Sequence, residues 1–105
     1  MPSRIETLLA EARSRIVRYT PEEAAADPEL LIVDIRSVDE RERAAVIPWR
    51  ADQTSEWRDE ELAGRRLCLV CMHGHSSSLA AATLVALGVE AGDLVGGYEA
   101  WQAAQ

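Results

Sequence analysis

A chain of 105 residues is long enough for one hydrophobic core and too short for two domains. Its 18 acidic residues outnumber 11 scattered basic residues, all of them arginine, and the net charge of −7 argues against nucleic acid as a partner. No apolar run is long enough to span a membrane and no charged-then-apolar leader opens the chain, so we expect a cytoplasmic protein without membrane association.

Two helix-start signals precede the first strand. Ser3-Arg4-Ile5-Glu6 has the form of a capping box, and apolar residues at helical spacing predict an amphipathic helix over residues 3–17. We treat residues 1–17 as an N-terminal helix and residues 18–105 as the domain. The apolar stripe packs either on that domain or on a second copy of the chain, in a homodimer. Thr20-Pro21-Glu22-Glu23 repeats the signal and predicts a short helix that ends near Asp27-Pro28.

The first predicted strand is a continuous apolar run. Residues 30–35 have the pattern of a strand buried on both faces, as in a parallel sheet. The run places Asp34 and Arg36 at its carboxyl end, where sites form in open α/β sheets. These two side chains either bond each other and nearby backbone as structural groups or support a site.

The middle of the chain is polar. Residues 39–43 alternate in charge and predict a solvated helical turn, and residues 45–47 predict a short strand that Pro48 stops. A helix is expected up to Leu62, ended by Gly64. The tryptophans at positions 49 and 57 either cover the core or form a wall of a site.

The candidate reactive residue is Cys71. Residues 67–70 predict a buried strand and residues 77–87 a helix that Gly88 stops, so residues 71–76 form the loop between them. Such a loop aims backbone N–H groups inward, and the helix dipole adds about half a positive charge. A thiolate or persulfide anion at Cys71 is a group that this loop could hold.

The residues after Cys71 divide into a loop and a helix start. The candidate anion-binding loop consists of Met72, His73, Gly74, His75, Ser76 and Ser77. Ser76, Ser77 and Ser78 all suit a helix N-cap. The two histidines either lend positive charge or a proton to the sulfur chemistry, because histidine titrates near neutrality, or only line the mouth of the loop.

Cys68 and Cys71 are not expected to form a disulfide. Three residues apart on one strand, they would be about 10 Å apart and point to opposite faces. Cys68 is interpreted as a small buried hydrophobic residue. The alternative for Cys71 is likewise an inert cysteine buried at the end of a strand.

The end of the chain completes an alternation of strands and helices. Leu94-Val95 predicts a final short strand, and residues 96–101 turn into a closing helix. The alternation predicts an α/β fold with a largely parallel sheet.

Three of these segments together resemble the rhodanese-like sulfurtransferases. They are Val33-Asp34-Ile35-Arg36, the cysteine loop, and Leu94-Val95-Gly96-Gly97-Tyr98-Glu99-Ala100-Trp101, and the resemblance covers roughly residues 18–104. It implies a small parallel sheet with helices on both faces, and a cysteine that carries a transferable sulfur. The helix at residues 3–17 lies outside the minimal domain of that family.

The resemblance implies a reaction at Cys71. Its thiolate attacks the outer sulfur of a donor such as thiosulfate and becomes a persulfide, which a thiol or cyanide-type acceptor then strips. The loop amides stabilise the anionic sulfur in both forms. No cofactor and no metal are expected, and the partners are a small sulfur donor, a thiol acceptor and, as a further option, a sulfur-carrier protein.

The loop departs from the family pattern in its charge. Family members that handle thiosulfate well commonly carry basic side chains in this loop, whereas residues 71–76 contain neither arginine nor lysine. A dianionic donor loses a charge-assisted contact worth about 1.5 to 3 kcal/mol. We therefore expect poor use of thiosulfate and better use of a less charged persulfide.

Three other functions compete with this interpretation. A metal site would use Cys68, Cys71, His73 and His75, but Cys68 points away along its strand. A cysteine phosphatase needs an arginine six residues after the cysteine, where Ser77 stands. The third is a rhodanese-like module of low or no activity, used for binding or sulfide sensing.

Overall fold

The computed structural model describes residues 3–36, 47–48, 50–54, 56 and 58–104. The charged turn predicted at residues 39–43 and the two tryptophans at positions 49 and 57 lie outside the described residues. Of the strand predicted at residues 45–47, only Ile47 is described, and it is helical. Residues 60–64 form turns rather than the end of the predicted helix, with Leu62 N–H bonded to the Asp59 carbonyl.

Four strands form one parallel sheet. They are β1 (Val17–Tyr19), β2 (Leu30–Asp34), β3 (Arg66–Val70) and β4 (Ala91–Leu94), in the order β1-β4-β3-β2. All neighbouring pairs are parallel. The predicted α/β class with a parallel sheet is confirmed.

Helices cover both faces of the sheet, as predicted. On one face α3 (Ser76–Ala86) packs against β3 and β4, and α1 (Arg4–Arg13) packs against α3. The other face holds α2 (Pro21–Ala26) and α4 (Gly97–Ala104), which contact each other. The core is accordingly divided into one cluster built around Leu67, Leu69, Ala81 and Leu84 and a second built around Ala24, Leu30, Cys68, Val70 and Leu94.

The N-terminal helix is shorter than predicted. Both capping boxes are present, at Ser3 and Thr20, but α1 ends at Arg13 instead of residue 17. Val17–Tyr19 instead forms β1, because pairing with β4 gives this short β-forming segment a hydrogen-bonded neighbour. Helix α1 packs on the domain through Ala12 and leaves Ile5 and Leu8 exposed. Association of two copies through this helix stays a prediction.

Two strands differ from their predicted form. In β2 only Leu30 is buried, and Ile32 is 41% exposed. Strand β2 is the last in the described sheet order, so only one of its edges pairs with another described strand. The final strand covers Ala91–Leu94 rather than residues 94–95. Its Gly92 and Asp93 belong to residue types that are rare in strands, which hid it from the sequence pattern.

The start of α4 is docked on the cysteine loop. Tyr98 N–H donates to the Cys71 carbonyl at 2.8 Å and Glu99 N–H donates to the Met72 carbonyl at 3.2 Å. Gly97 has φ +66°, and a Cβ there would overlap both carbonyl oxygens. Only glycine lets the two segments approach this closely.

We expect Gly97→Ala to lower the free energy of unfolding more than Gly88→Ala. Both positions have positive φ, but a Cβ at Gly88 meets nothing within 4 Å, so that variant carries only the backbone strain. The expected losses are about 1 to 2 kcal/mol for Gly88→Ala and about 3 to 5 kcal/mol for Gly97→Ala. Denaturant unfolding of both variants measures the difference, and equal losses would contradict the close approach.

Candidate active site

Cys71 lies at the end of β3, under the loop that leads to α3. The residue is 3% exposed, and its sulfur accepts N–H bonds from Gly74 at 3.2 Å and Ser77 at 3.3 Å. The Ser77 hydroxyl lies 3.2 Å from the same sulfur. The loop therefore places two amides and a hydroxyl around one sulfur atom.

A buried carboxylate lies beneath this arrangement. Asp93, in β4, is fully buried and accepts hydrogen bonds from the hydroxyls of Ser77 at 2.8 Å and Ser78 at 2.6 Å. Arg18 of β1 adds an ion pair, with Nε at 2.8 Å and Nη2 at 3.3 Å. The carboxylate is thus both charge-paired and hydrogen-bonded, as a buried charge must be.

The serines do not cap α3 as predicted. His75 occupies the N-cap position without a side-chain cap bond, and Ser76 is the first helical residue, with an exposed side chain. Ser77 and Ser78 are buried in the first turn. Their hydroxyls point to Asp93 because the buried carboxylate needs donors more than the solvent-accessible helix start does.

Two arginines hold the back of the loop. Arg13 of α1 donates to the Gly74 carbonyl at 2.7 Å and to the Ser78 hydroxyl at 3.0 Å. Arg18 donates to the same carbonyl at 3.2 Å. Gly74 has φ +82°, a conformation that favours glycine, so the turn that presents this carbonyl is built into the sequence.

The rim of the loop is polar and open. His73 Nδ1 lies 2.8 Å from a Glu99 carboxylate oxygen, and both side chains are largely exposed. Met72 and His75 are also exposed. Among the described residues, the polar partners of the Cys71 sulfur come from Gly74 and Ser77, so the structure places neither histidine on it.

Asp34 and Arg36 form a pair beside the loop. Their side chains are 3.0 Å apart, the Arg36 amide donates to Asp34 at 2.9 Å, and the guanidinium stacks on Tyr98 at 3.5 Å from the ring centroid. These contacts match the alternative in which Asp34 and Arg36 bond each other and nearby groups to hold the structure. A supporting role in the site stays a prediction.

Both cysteines are free, and they lie in different environments. Cys68 belongs to the core cluster on the α2 and α4 side, whereas Cys71 belongs to the cluster on the α3 side. Burial raises the pKa of the Cys68 thiol to about 12, and the negative charge of Asp93 adds to this effect. Within the described parts of the chain, no group of three or more Cys, His, Asp or Glu side chains is placed to hold a metal ion.

Sequence reasoning missed the residues behind the loop. Asp93 lies in a strand whose residue types disfavour strands, and in the sequence Arg13 and Arg18 are two of eleven scattered arginines. The sequence did contain one signal for this network. Asp93 lies in a short, mostly apolar segment, and if that segment is buried its carboxylate needs a cation or hydrogen-bond donors.

We expect alkylation of the native protein to leave Cys68 unmodified. At pH 8 a thiol with a pKa of about 12 is almost entirely protonated, and Cys68 is also fully buried. Peptide mapping after iodoacetamide treatment, with and without guanidinium, measures this. Labelling of Cys68 in the folded protein at the rate seen in guanidinium would contradict the assigned burial.

Comparisons with known proteins agree with the fold. The family model described as a rhodanese-like domain matches residues 20–104. A search of curated proteins found no match. In the part of the chain that the structure describes, no helix is long and apolar enough to cross a bilayer.

The solved structures that are similar to this chain include the following two. One is a protein of unknown function from Rhodopseudomonas palustris CGA009, named a possible tyrosine phosphatase, with 26% identity, a TM-score of 0.79, and coverage of 99% of this chain and 96% of that one. The other, a rhodanese-related protein from Thermoplasma volcanium, has 18% identity, a TM-score of 0.58, and coverage of 83% and 91%. With a parallel sheet, a cysteine loop at the end of a strand and a family match over most of its length, this chain belongs to the rhodanese-like domain family.

Proposed function

We propose that the protein is a sulfurtransferase that carries a sulfane sulfur as a persulfide on Cys71. The observation that supports it is the convergence of the Gly74 and Ser77 amides and the Ser77 hydroxyl on the Cys71 sulfur. Preorganised N–H donors stabilise the negative charge that the group on Cys71 carries both as a thiolate and as a persulfide. Membership of the rhodanese-like family supports the same chemistry.

The reaction consists of two displacements. The Cys71 thiolate attacks the sulfane sulfur of the donor, a sulfur–sulfur bond forms, and the donor remainder leaves with the electron pair of the broken bond, as sulfite or as a thiolate. An acceptor thiolate or cyanide then attacks the terminal sulfur and becomes a persulfide or thiocyanate, while Cys71 returns as thiolate. The sum is a transfer of one sulfur atom, and it needs no external oxidant, reductant or cofactor.

Ser77 is suited to serve both protonation states of Cys71. With a thiol present, its hydroxyl accepts from sulfur and donates to Asp93. When the sulfur is an anion, the hydroxyl can rotate and donate to it, because Asp93 keeps its bonds to Arg18 and Ser78. The carboxylate thus stays satisfied throughout the cycle.

The rim of the loop favours a donor of low charge. The loop has no lysine or arginine, and its exposed His73 lies beside the Glu99 carboxylate. We therefore propose a persulfide on a small thiol or on a sulfur-carrier protein as donor, with thiosulfate a poor one. Such thiol chemistry fits a reducing compartment such as the cytoplasm.

A rhodanese-like module of low or no activity is the second candidate. The absence of basic side chains from residues 71–76 favours it, since family members that handle thiosulfate well commonly carry them in this loop. Phosphatase activity is less well supported, because Ser77 stands where a cysteine phosphatase loop has its phosphate-binding arginine.

We expect incubation with a small organic persulfide to add one sulfur atom to the protein at Cys71. Intact-mass spectrometry of wild type, Cys71→Ser and Cys68→Ser measures the addition, which should be absent only from Cys71→Ser because Cys68 is buried and protonated. Cyanide or a thiol should then release the sulfur, and thiosulfate should load the protein more slowly.

Two outcomes would contradict the proposed function. No added sulfur from either donor, in a protein that unfolds cooperatively, would favour the inactive module. Release of phosphate from an aryl phosphate that depends on Cys71, without sulfur loading, would favour a phosphatase.

A further inference from the structure

Helix α1 contributes a cation to the cysteine loop. Arg13, in its last turn, bonds the Gly74 carbonyl at 2.7 Å and the Ser78 hydroxyl at 3.0 Å, across more than 60 residues of sequence. The guanidinium is partly buried between α1 and the start of α3. An amphipathic helix that only covers the core would not need to place an arginine there.

Arg13 forms no ion pair among the described residues, and the Asp93 carboxylate lies on the far side of the Ser78 hydroxyl that Arg13 binds. Of the three charged groups behind the loop, Arg18 is paired with Asp93, whereas Arg13 donates to the neutral Gly74 carbonyl and Ser78 hydroxyl. Together, the side chains of Arg13, Arg18 and Asp93 therefore carry one net positive charge.

The remaining charged side chains described around the loop are either paired or exposed. Arg36 is paired with Asp34, so this pair adds little net field at the sulfur. The Glu99 carboxylate lies beside His73 and is largely exposed, so solvent screens its charge.

Arg13 and Arg18 act on the loop through one peptide group. Both guanidiniums bind the carbonyl of the peptide that joins Gly74 to His75. The described peptides contain no cis bond, so the His75 N–H points in the opposite direction, away from the arginines. Cationic donors on the carbonyl polarise this peptide and make its N–H a stronger donor.

We propose that Arg13, assisted by Arg18, supplies from behind the loop the positive charge that residues 71–76 lack, which makes helix α1 part of the sulfur-carrying site. This inference rests on the proposed function, since it concerns the anionic sulfur of Cys71. Arg13 is a positioning residue in this account: it acts through the Gly74 carbonyl and does not touch the sulfur.

The test compares two alkylating reagents that differ in charge. Iodoacetate is an anion and iodoacetamide is neutral, and both react with the same Cys71 thiolate, so the ratio of their rate constants reports the electrostatic potential at the sulfur. Changes in thiolate fraction or accessibility affect both reagents and largely cancel. The ratio is measured by mass spectrometry in Cys68→Ser, which leaves Cys71 as the single thiol.

We expect Arg13→Gln to lower the iodoacetate-to-iodoacetamide ratio about threefold to tenfold, because it removes one charge near the sulfur. Arg13→Lys should keep most of the ratio, since it keeps the charge. Arg15→Gln is the matched control: Arg15 lies on the same helix and is exposed in a pair with Glu11, so this variant should leave the ratio unchanged.

A ratio in Arg13→Gln equal to that of Arg15→Gln would overturn the inference, as would a Cys71 that reacts with neither reagent. If Arg13→Gln unfolds, as monitored by circular dichroism, Arg13→Lys decides, and a ratio far below wild type there overturns it. Persulfide loading of the wild type is measured separately. If the persulfide does not load the wild type but the alkylation ratio still depends on Arg13, the sulfurtransferase proposal is rejected and the electrostatic role of Arg13 stands.

Discussion

The buried carboxylate of Asp93 is the constraint on which the cysteine loop depends. An isolated charge in the interior costs several kcal/mol, so Asp93 requires both a cation and hydrogen-bond donors. Its donors come from Arg18 of β1 and from Ser77 and Ser78 of α3. Satisfying one carboxylate therefore fixes the start of α3 against β1 and β4. Since Cys71 is anchored by the end of β3, both ends of the loop are held.

In the proposed account, the same network separates two tasks, holding the sulfur atom and supplying positive charge. Backbone amides and Ser77 hold the Cys71 sulfur whatever the charge of the loop side chains. The proposed source of cationic support is the pair of arginines that donate to the Gly74 carbonyl. In the account proposed here, loop side chains influence which donor enters, while the buried network determines how well the sulfur anion is held. A loop without arginine is then compatible with sulfur transfer.

Much of the fold could be predicted because its signals are local. The capping boxes at Ser3 and Thr20 each lie within four residues, and the apolar runs that form β2 and β3 are continuous. The errors occurred where tertiary pairing overrides local preference. Val17–Tyr19 becomes a strand only because β4 lies beside it, and β4 itself contains Gly92 and Asp93, which local propensity disfavours in a strand.

The candidate site could be predicted only in part, for the same reason. Cys71 and its loop form one continuous segment, whereas Asp93 meets Arg18 across 75 residues and Arg13 meets Gly74 across 61. No periodic pattern relates residues that far apart, and an arginine in a polar context is indistinguishable from a solvated one. An aspartate in a strand at the centre of the sheet order is different, because a buried charge implies a cation somewhere in the chain. That physical requirement, rather than any motif, connects the N-terminal segment to the cysteine loop.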